Sequence, residues 1–166
     1  MLTAVTGRLQ DEIKQTRPFA SAEGEVLLSL ARTADVLSRR VSEVLKASAL
    51  TPTQYNVLRI LRGAGSAGLS CSEVTSRMIT RDPDTTRMLD RLEARHLVSR
   101  SREATDRRVV TTRITEHGLA LLAQLDAPVE AQNRRVLGHL GAEKLRALAD
   151  LLDEARAGSG GGGDAR

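Results

Sequence analysis

The stretch RDPDTTRMLDRLEARHL, residues 81–97, constrains this chain more than any other. It holds four arginines and four acids, yet its apolar residues recur at helical spacing. At about 100° per residue, Thr85, Leu89, Leu92 and His96 share one face, and Arg87, Asp90, Arg91 and Ala94 share the opposite one. Such a helix packs on a core with one side and holds guanidinium groups out on the other. Asp84 and Asp90 are both spaced to pair with Arg87, at a few tenths of a kcal/mol each. Water would suit the charged face, and so would a polyanion.

The placement of charge bears on that choice. From Arg77 to Arg113 there are ten Arg, no Lys and six acids, an excess of four that equals the net charge of the whole chain, +4. Arginine carries a planar fork of donors that matches phosphates and guanine edges. Aromatic residues are limited to Phe19 and Tyr55, with no Trp, so stacking of unpaired bases on ring platforms is excluded as a main binding mode. A core without rings must be built from Leu, Val, Ile and Ala, which suits helix-on-helix packing. The single cysteine, Cys71, excludes an internal disulfide and a cysteine zinc cluster, and fits a reducing cytoplasm. No signal-peptide run and no stretch of about 20 apolar residues is present, so a cytoplasmic protein without membrane contact is expected.

Start and stop signals divide the rest. Leu2, Val5, Leu9 and Ile13 suggest a short amphipathic helix before Pro18. Leu27, Leu30, Ala34, Leu37, Val41 and Val44 then form a seam along one long helix, which implies a partner helix. Thr51, Pro52 and Gln54 form a capping box that opens a helix to about Leu61, before GAGSAG breaks the chain. Ser70 and Glu73 open a short helix ending near Met78, and Asp82 with Pro83 open the charged one. Acids at that start would repel a phosphate, so phosphate contacts are expected from farther along the helix and beyond it. LVSRSR and VVTTRI read as two strands around the charged turn EATDRR. Thr115 caps a long helix, interrupted and kinked at Pro128. A last helix covers about Ala142 to Ala155, with Leu145, Leu148, Leu151 and Leu152 on one face.

Short helix, turn, charged helix and hairpin is the winged helix-turn-helix order, in which the second helix enters the major groove. The fold class expected is mainly α with a small β-hairpin wing, joined to a helical dimerisation region. Its parts are an N-terminal extension and long dimerisation helix (1–50), a winged-helix DNA-binding domain (51–115), C-terminal dimerisation helices (116–157) and a disordered tail (158–166).

From Ser70 to Thr115 the chain resembles the MarR family of winged-helix transcriptional regulators. TRMLDRLEARHLVSR resembles that family's recognition helix and following strand, and ATDRRVVTTRITEHG its wing, carried here by Asp106, Arg108 and Thr115. The likeness extends from about Gly24 to Ala155. His96 departs from it, standing where the family usually has Gly between the recognition helix and the strand. The resemblance implies a cytoplasmic homodimer that reads a pseudo-palindromic site on double-stranded DNA. It also implies a small effector, phenolic or otherwise aromatic, bound between the dimer region and the DNA-binding lobe. The expected DNA-contacting residues are Thr85, Thr86, Arg87 and Arg91 on the helix and Arg107 and Arg108 on the wing, with Asp106 bracing the turn. Thr85 is also expected to touch the core.

Two other functional classes fit the sequence less well. No histidine cluster, nucleophile elbow or phosphate-binding glycine loop supports an enzyme, and no metal site or cofactor is expected. A winged helix that binds protein would show an apolar patch where this chain places arginines. Cys71, in the first turn of a helix, is a candidate for a redox-responsive regulator, but no second cysteine is available within the chain to resolve an oxidised sulfur. The seams on the first and last helices yield one prediction. Leu37→Asp puts an unpaired charge in a packed region and should dissociate or unfold the protein. Sedimentation checks it, and a wild type that stays monomeric at micromolar concentration would refute the architecture.

Overall fold

The computed structural model describes residues 8–80, 84–102 and 110–160, and the chain divides into two compact units after Arg40. In the first unit, a short helix α1 (Arg8–Glu12) precedes the long helix α2 (Ala22–Leu45). The Ser21 hydroxyl accepts the Gly24 N–H at 3.1 Å and so starts α2. Arg32 reaches Glu12 at 3.8 Å, and Arg39 pairs with Asp35 one turn back. The seam expected on this helix is present, and its first member, Leu27, is 67% exposed. Val26, Leu28 and Val36 are exposed beside it.

The end of α2 belongs to the second unit, where Val41, Val44 and Leu45 enter the core. A 3-10 turn (Lys46–Ser48) and Ala49, in the left-handed conformation at φ 48°, turn the chain into α3 (Pro52–Ala64). The capping box expected at Thr51 and Gln54 is formed in both directions, at 3.1 and 3.0 Å. Gly63 does not break this helix. It continues to Ala64, three residues past the expected end, and only then passes into a turn at Gly65–Ala67. Ser70 and Glu73 cap α4 (Cys71–Arg77) in the same reciprocal way, and the bonds from the Ser70 hydroxyl and N–H pull the Glu73 carboxyl below its ordinary pKa.

The charged helix, α5, spans Thr85–Ala94 with Asp84 at its N-cap position and no side-chain cap bond. The expected cap, Asp82 with Pro83, lies outside the described residues. Thr85, Met88, Leu89 and Leu92 are buried on one side. His96 was expected on that face but lies beyond the helix and is exposed, because the chain turns there into the left-handed region at φ 56°. The turn closes with His96 N–H donating to the Glu93 carbonyl (2.8 Å) and Leu97 N–H to that of Leu92 (3.0 Å). That is a Schellman ending with histidine in the position glycine prefers.

Strand β2 (Val98–Arg102) pairs antiparallel with β3 (Val110–Ile114), so the expected hairpin is present. A third strand, β1 (Leu69–Ser70), pairs with the other edge of β3 and gives the order β1-β3-β2. Gly68 leads into it at φ 69°, where a Cβ would come within 2.7 Å of the Thr112 carbonyl oxygen.

Helix α6 (Glu116–Leu137) is opened by Thr115, whose hydroxyl accepts from Gly118 N–H at 3.1 Å. It runs on through Pro128, so the expected interruption does not occur. A turn at Gly138–Leu140 leads to α7 (Gly141–Gly160), which passes the boundary expected at 157. Residues 161–166 lie outside the described part. Leu151 on α7 is 62% exposed. The core of this unit gathers Leu58 and Leu61 of α3, Val74 of α4, Leu89 and Leu92 of α5, Leu97 and Val98 beside β2, and Leu122 and Leu125 of α6.

Gly118 packs closely against the backbone beside that core. A Cβ there would lie 2.3 Å from the Leu97 carbonyl oxygen and 2.7 Å from Ile114 Cγ1. Gly118→Ala should therefore force backbone apart and lower stability by about 1–3 kcal/mol, read as a shift in the urea midpoint at unchanged slope.

Candidate nucleic-acid interface

Helices α4 and α5 are joined through small polar side chains. The Thr75 hydroxyl donates to Thr85 Oγ1 at 3.2 Å, and Thr85 in turn meets Met78 Sδ at 3.8 Å. Thr85 is only 4% exposed. Its expected core contact is therefore present. Thr86, the next residue, is exposed and faces Cys71, with Oγ1 3.7 Å from the sulfur. Cys71 itself is half-buried.

Arg87 and Arg91 are exposed on the outer face of α5, as the helical period places them. Asp84 reaches Arg87 at 3.6 Å, as expected. Asp90 was also expected to pair with Arg87, but it is engaged by Arg100 of β2. Arg100 also meets Glu93, by its Nε at 2.8 Å and its backbone N–H at 3.1 Å. The bond to Glu93 is the main reason the Arg100 guanidinium is held above its ordinary pKa. One arginine thus clamps two acids of α5 and fixes the first wing strand against that helix. The signal was present in the alternation of β2, since Val98 is buried and Arg100 two residues on must point to the same side.

Arg113 braces the sheet elsewhere, donating to the Ser66 carbonyl (2.9 Å) and to Ser101 Oγ (2.8 Å). Arg95 donates to two backbone carbonyls of the turn after α2. Sequence reading did not separate these three arginines from the outward ones. Arg77 and Arg102, which it did not single out, are exposed on α4 and β2. Asp106, Arg107 and Arg108 lie outside the described residues.

A cleft of about 470 Å³ opens between α3 and α6, lined by Tyr55, Arg59, Asp126, Val129, Glu130 and Arg134 among others. Arg59 lies over the Tyr55 ring, 5.8 Å from its centre. Burial raises the Tyr55 pKa against the opposing pull of Arg59. Arg62 grips Asp126 with both arms, at 2.7 and 3.1 Å, and ties the two helices together at this wall. No group of histidine, cysteine, aspartate or glutamate among the described residues is arranged to hold a metal ion, and no described helix is long and apolar enough to cross a membrane.

A short helix, a second helix with outward arginines and a three-stranded sheet clamped to it define a winged helix-turn-helix regulator. The sequence model of the MarR family matches residues 50–110. The HTH-type transcriptional repressor MdtR of Bacillus subtilis (strain 168) is 30% identical over 127 residues, covering 76% of this chain and 81% of MdtR. A MarR transcription factor from Planctomyces limnophilus is 38% identical with a TM-score of 0.63, covering 82% of this chain and 98% of that one. The repressor CouR, solved on a 23-mer DNA duplex, is 27% identical with a TM-score of 0.73 (85% and 99% covered). NadR, solved with 4-hydroxyphenylacetate, is 26% identical with a TM-score of 0.66 (84% and 97% covered). The chain belongs to the MarR family of transcriptional regulators, and is not an enzyme.

The Arg62–Asp126 pair has a pH signature. The bonds from Arg62 hold the Asp126 carboxyl below its ordinary pKa. A depressed carboxyl contributes stability above its unfolded pKa of about 3.9, and that contribution is lost as pH falls through the folded value. The wild type should therefore exceed Asp126→Asn in stability near neutral pH, by less than about 1 kcal/mol because the pair is half-exposed. The gap should close as pH drops below the usual carboxylate range, as checked by urea unfolding at a series of pH values.

Proposed function

We propose that this chain is a cytoplasmic, dimeric repressor that binds a pseudo-palindromic DNA site through α5 and the wing and is released by a small aromatic effector. The observation that carries the reading is the outward pair Arg87 and Arg91 on a helix whose opposite face is buried and whose wing strand is clamped beside it. Among the described residues, the outer face of α5 presents Arg87, Asp90 and Arg91 and no large apolar side chain. Thr86, next to Arg87, is exposed at the start of the helix and joins the two arginines as a contact residue. From the family pattern, Arg108 contacts the minor groove or its phosphates, Arg107 beside it is a second DNA-contact candidate of the wing, and Asp106 braces the turn and orients Arg108. CouR on a DNA duplex is the similar structure that supports this assignment.

The exposed apolar residues of α2 and α7 support the dimer, since they need a cover that a second copy would supply. The α3–α6 cleft supports the effector. Its size falls in the range of small-molecule sites, and it offers a phenol, cations and a valine wall to an aromatic ligand. NadR, with its phenolic acid, is the similar structure on that point. A redox reading through Cys71 has only the contact with Thr86 behind it.

Two substitutions test the DNA reading. Arg87→Ala should weaken a specific duplex far more than a random one, by about 1–3 kcal/mol if Arg87 makes a bidentate base contact. Equal losses on both duplexes would reduce it to a phosphate contact. Arg108→Ala should lower the slope of log affinity against log salt by about one, the value for one neutralised phosphate. Unchanged binding across the titration would remove Arg108 from the interface.

A further inference from the structure

Three consecutive residues at the end of α5 hold both helices that flank the DNA-binding lobe. Arg95 donates from its two terminal nitrogens to the carbonyls of Ala49 (2.7 Å) and Ser48 (2.8 Å), directly after α2. The next residue, His96, offers its carbonyl to the Thr115 hydroxyl at 2.6 Å, and Leu97 offers its own to the Thr115 N–H at 3.1 Å. Thr115 is the cap of α6. The recognition helix is therefore gripped at one end by the terminus of α2 and by the start of α6.

The Arg95 contact differs from the other two in kind. It joins positions 46 and 47 residues apart in sequence. Its acceptors are the carbonyls of Ser48 and Ala49, in and just after the 3-10 turn that follows α2, where charged guanidinium donors make the stronger kind of hydrogen bond. Two parallel bonds to a planar fork fix an angle as well as a distance, which a single contact does not. The Ala49 backbone is in the left-handed region, uncommon for a residue with a Cβ, and the fork holds its carbonyl from outside. Both terminal nitrogens of Arg95, one residue past α5, are used on carbonyls within the lobe.

We propose that Arg95 is a positioning residue: it sets the angle of the recognition helix against the end of α2, and through it the half-site spacing that the dimer accepts. The inference rests on the dimeric DNA-binding reading. In a dimer, a small rotation of each recognition helix moves its partner's reading position along and around the duplex. One inserted base pair displaces a half-site by about 3.4 Å and turns it by about 34°. A rigid pair of helices rejects that change and a loosened pair accepts it.

The test begins with duplexes selected by the wild-type protein from a random-sequence pool, and with versions of the selected palindrome lengthened or shortened by one base pair at its centre. Wild type should lose about tenfold or more in affinity on the altered spacings, the scale of one mismatched position. Arg95→Met, which keeps the aliphatic stem and removes the fork, should narrow that ratio to within about threefold while binding a single half-site as wild type does. Arg95→Lys, with one ammonium in place of the fork, should fall between them. Amide exchange at Ala49 and Leu50 should speed up in Arg95→Met in the absence of DNA, while the dimer persists in sedimentation. A lowered unfolding midpoint with unchanged spacing preference would make Arg95 a structural cap only and overturn the proposal. A wild-type protein that retains no duplex would overturn the DNA-binding reading, and this inference with it, before any variant is compared.

Discussion

The lobe depends on how closely α6 approaches the backbone that follows the recognition helix. Gly118 lies against the Leu97 carbonyl with no room for a side chain, and Thr115 binds the carbonyls of His96 and Leu97 from the same turn. That approach brings Leu122 and Leu125 over the core, beside Leu58, Leu61, Leu89 and Leu92. It also explains why His96 adopts a conformation that glycine takes more cheaply. The chain must reverse at once after Ala94 to place Leu97 and Val98 inside, and two local backbone bonds with the Thr115 contact hold the reversal. Tyr55 is the one aromatic ring among the described buried core residues, so the rest of the fit rests on interdigitating aliphatic side chains.

The arginines divide according to the elements that carry them. Arg95, Arg100 and Arg113 are consumed by the fold, on carbonyls, carboxylates and hydroxyls of neighbouring segments. Arg77, Arg87, Arg91 and Arg102 remain at the surface. Among the described residues of this region, some guanidinium groups are therefore committed to contacts inside the molecule and others are left at its surface. One of the committed groups has a second use. Arg100 pairs with Asp90 and Glu93, offsetting part of a negative charge that would otherwise repel a polyanion from the same helix, and it holds the wing strand in place in doing so. Alignment of wing and helix and reduction of repulsion come from one side chain.

Much of this was legible in the sequence because local physics decides it. The capping boxes at Thr51 and Ser70 are short-range patterns, and both formed as read. The helical period separated Leu89 and Leu92 from Arg87 and Arg91, since burial of one face is what makes the helix stable. The alternation of the two β-branched and polar runs found the hairpin, and the combined motifs pointed to the MarR family. Tertiary structure decided the rest. Gly63 stayed helical and Pro128 stayed inside α6, where packing outweighs local preference. The two-residue strand β1 is too short to carry a pattern and exists only because β3 offers it an edge. Asp90 chose Arg100 over Arg87, although the helical partner was nearer in sequence, because the wing strand folds back beside α5 and brings a more buried guanidinium to it. Local spacing determined which faces this chain has. Which charges on those faces are spent inside the molecule depended on contacts between residues distant in sequence, and only the folded chain brings those together.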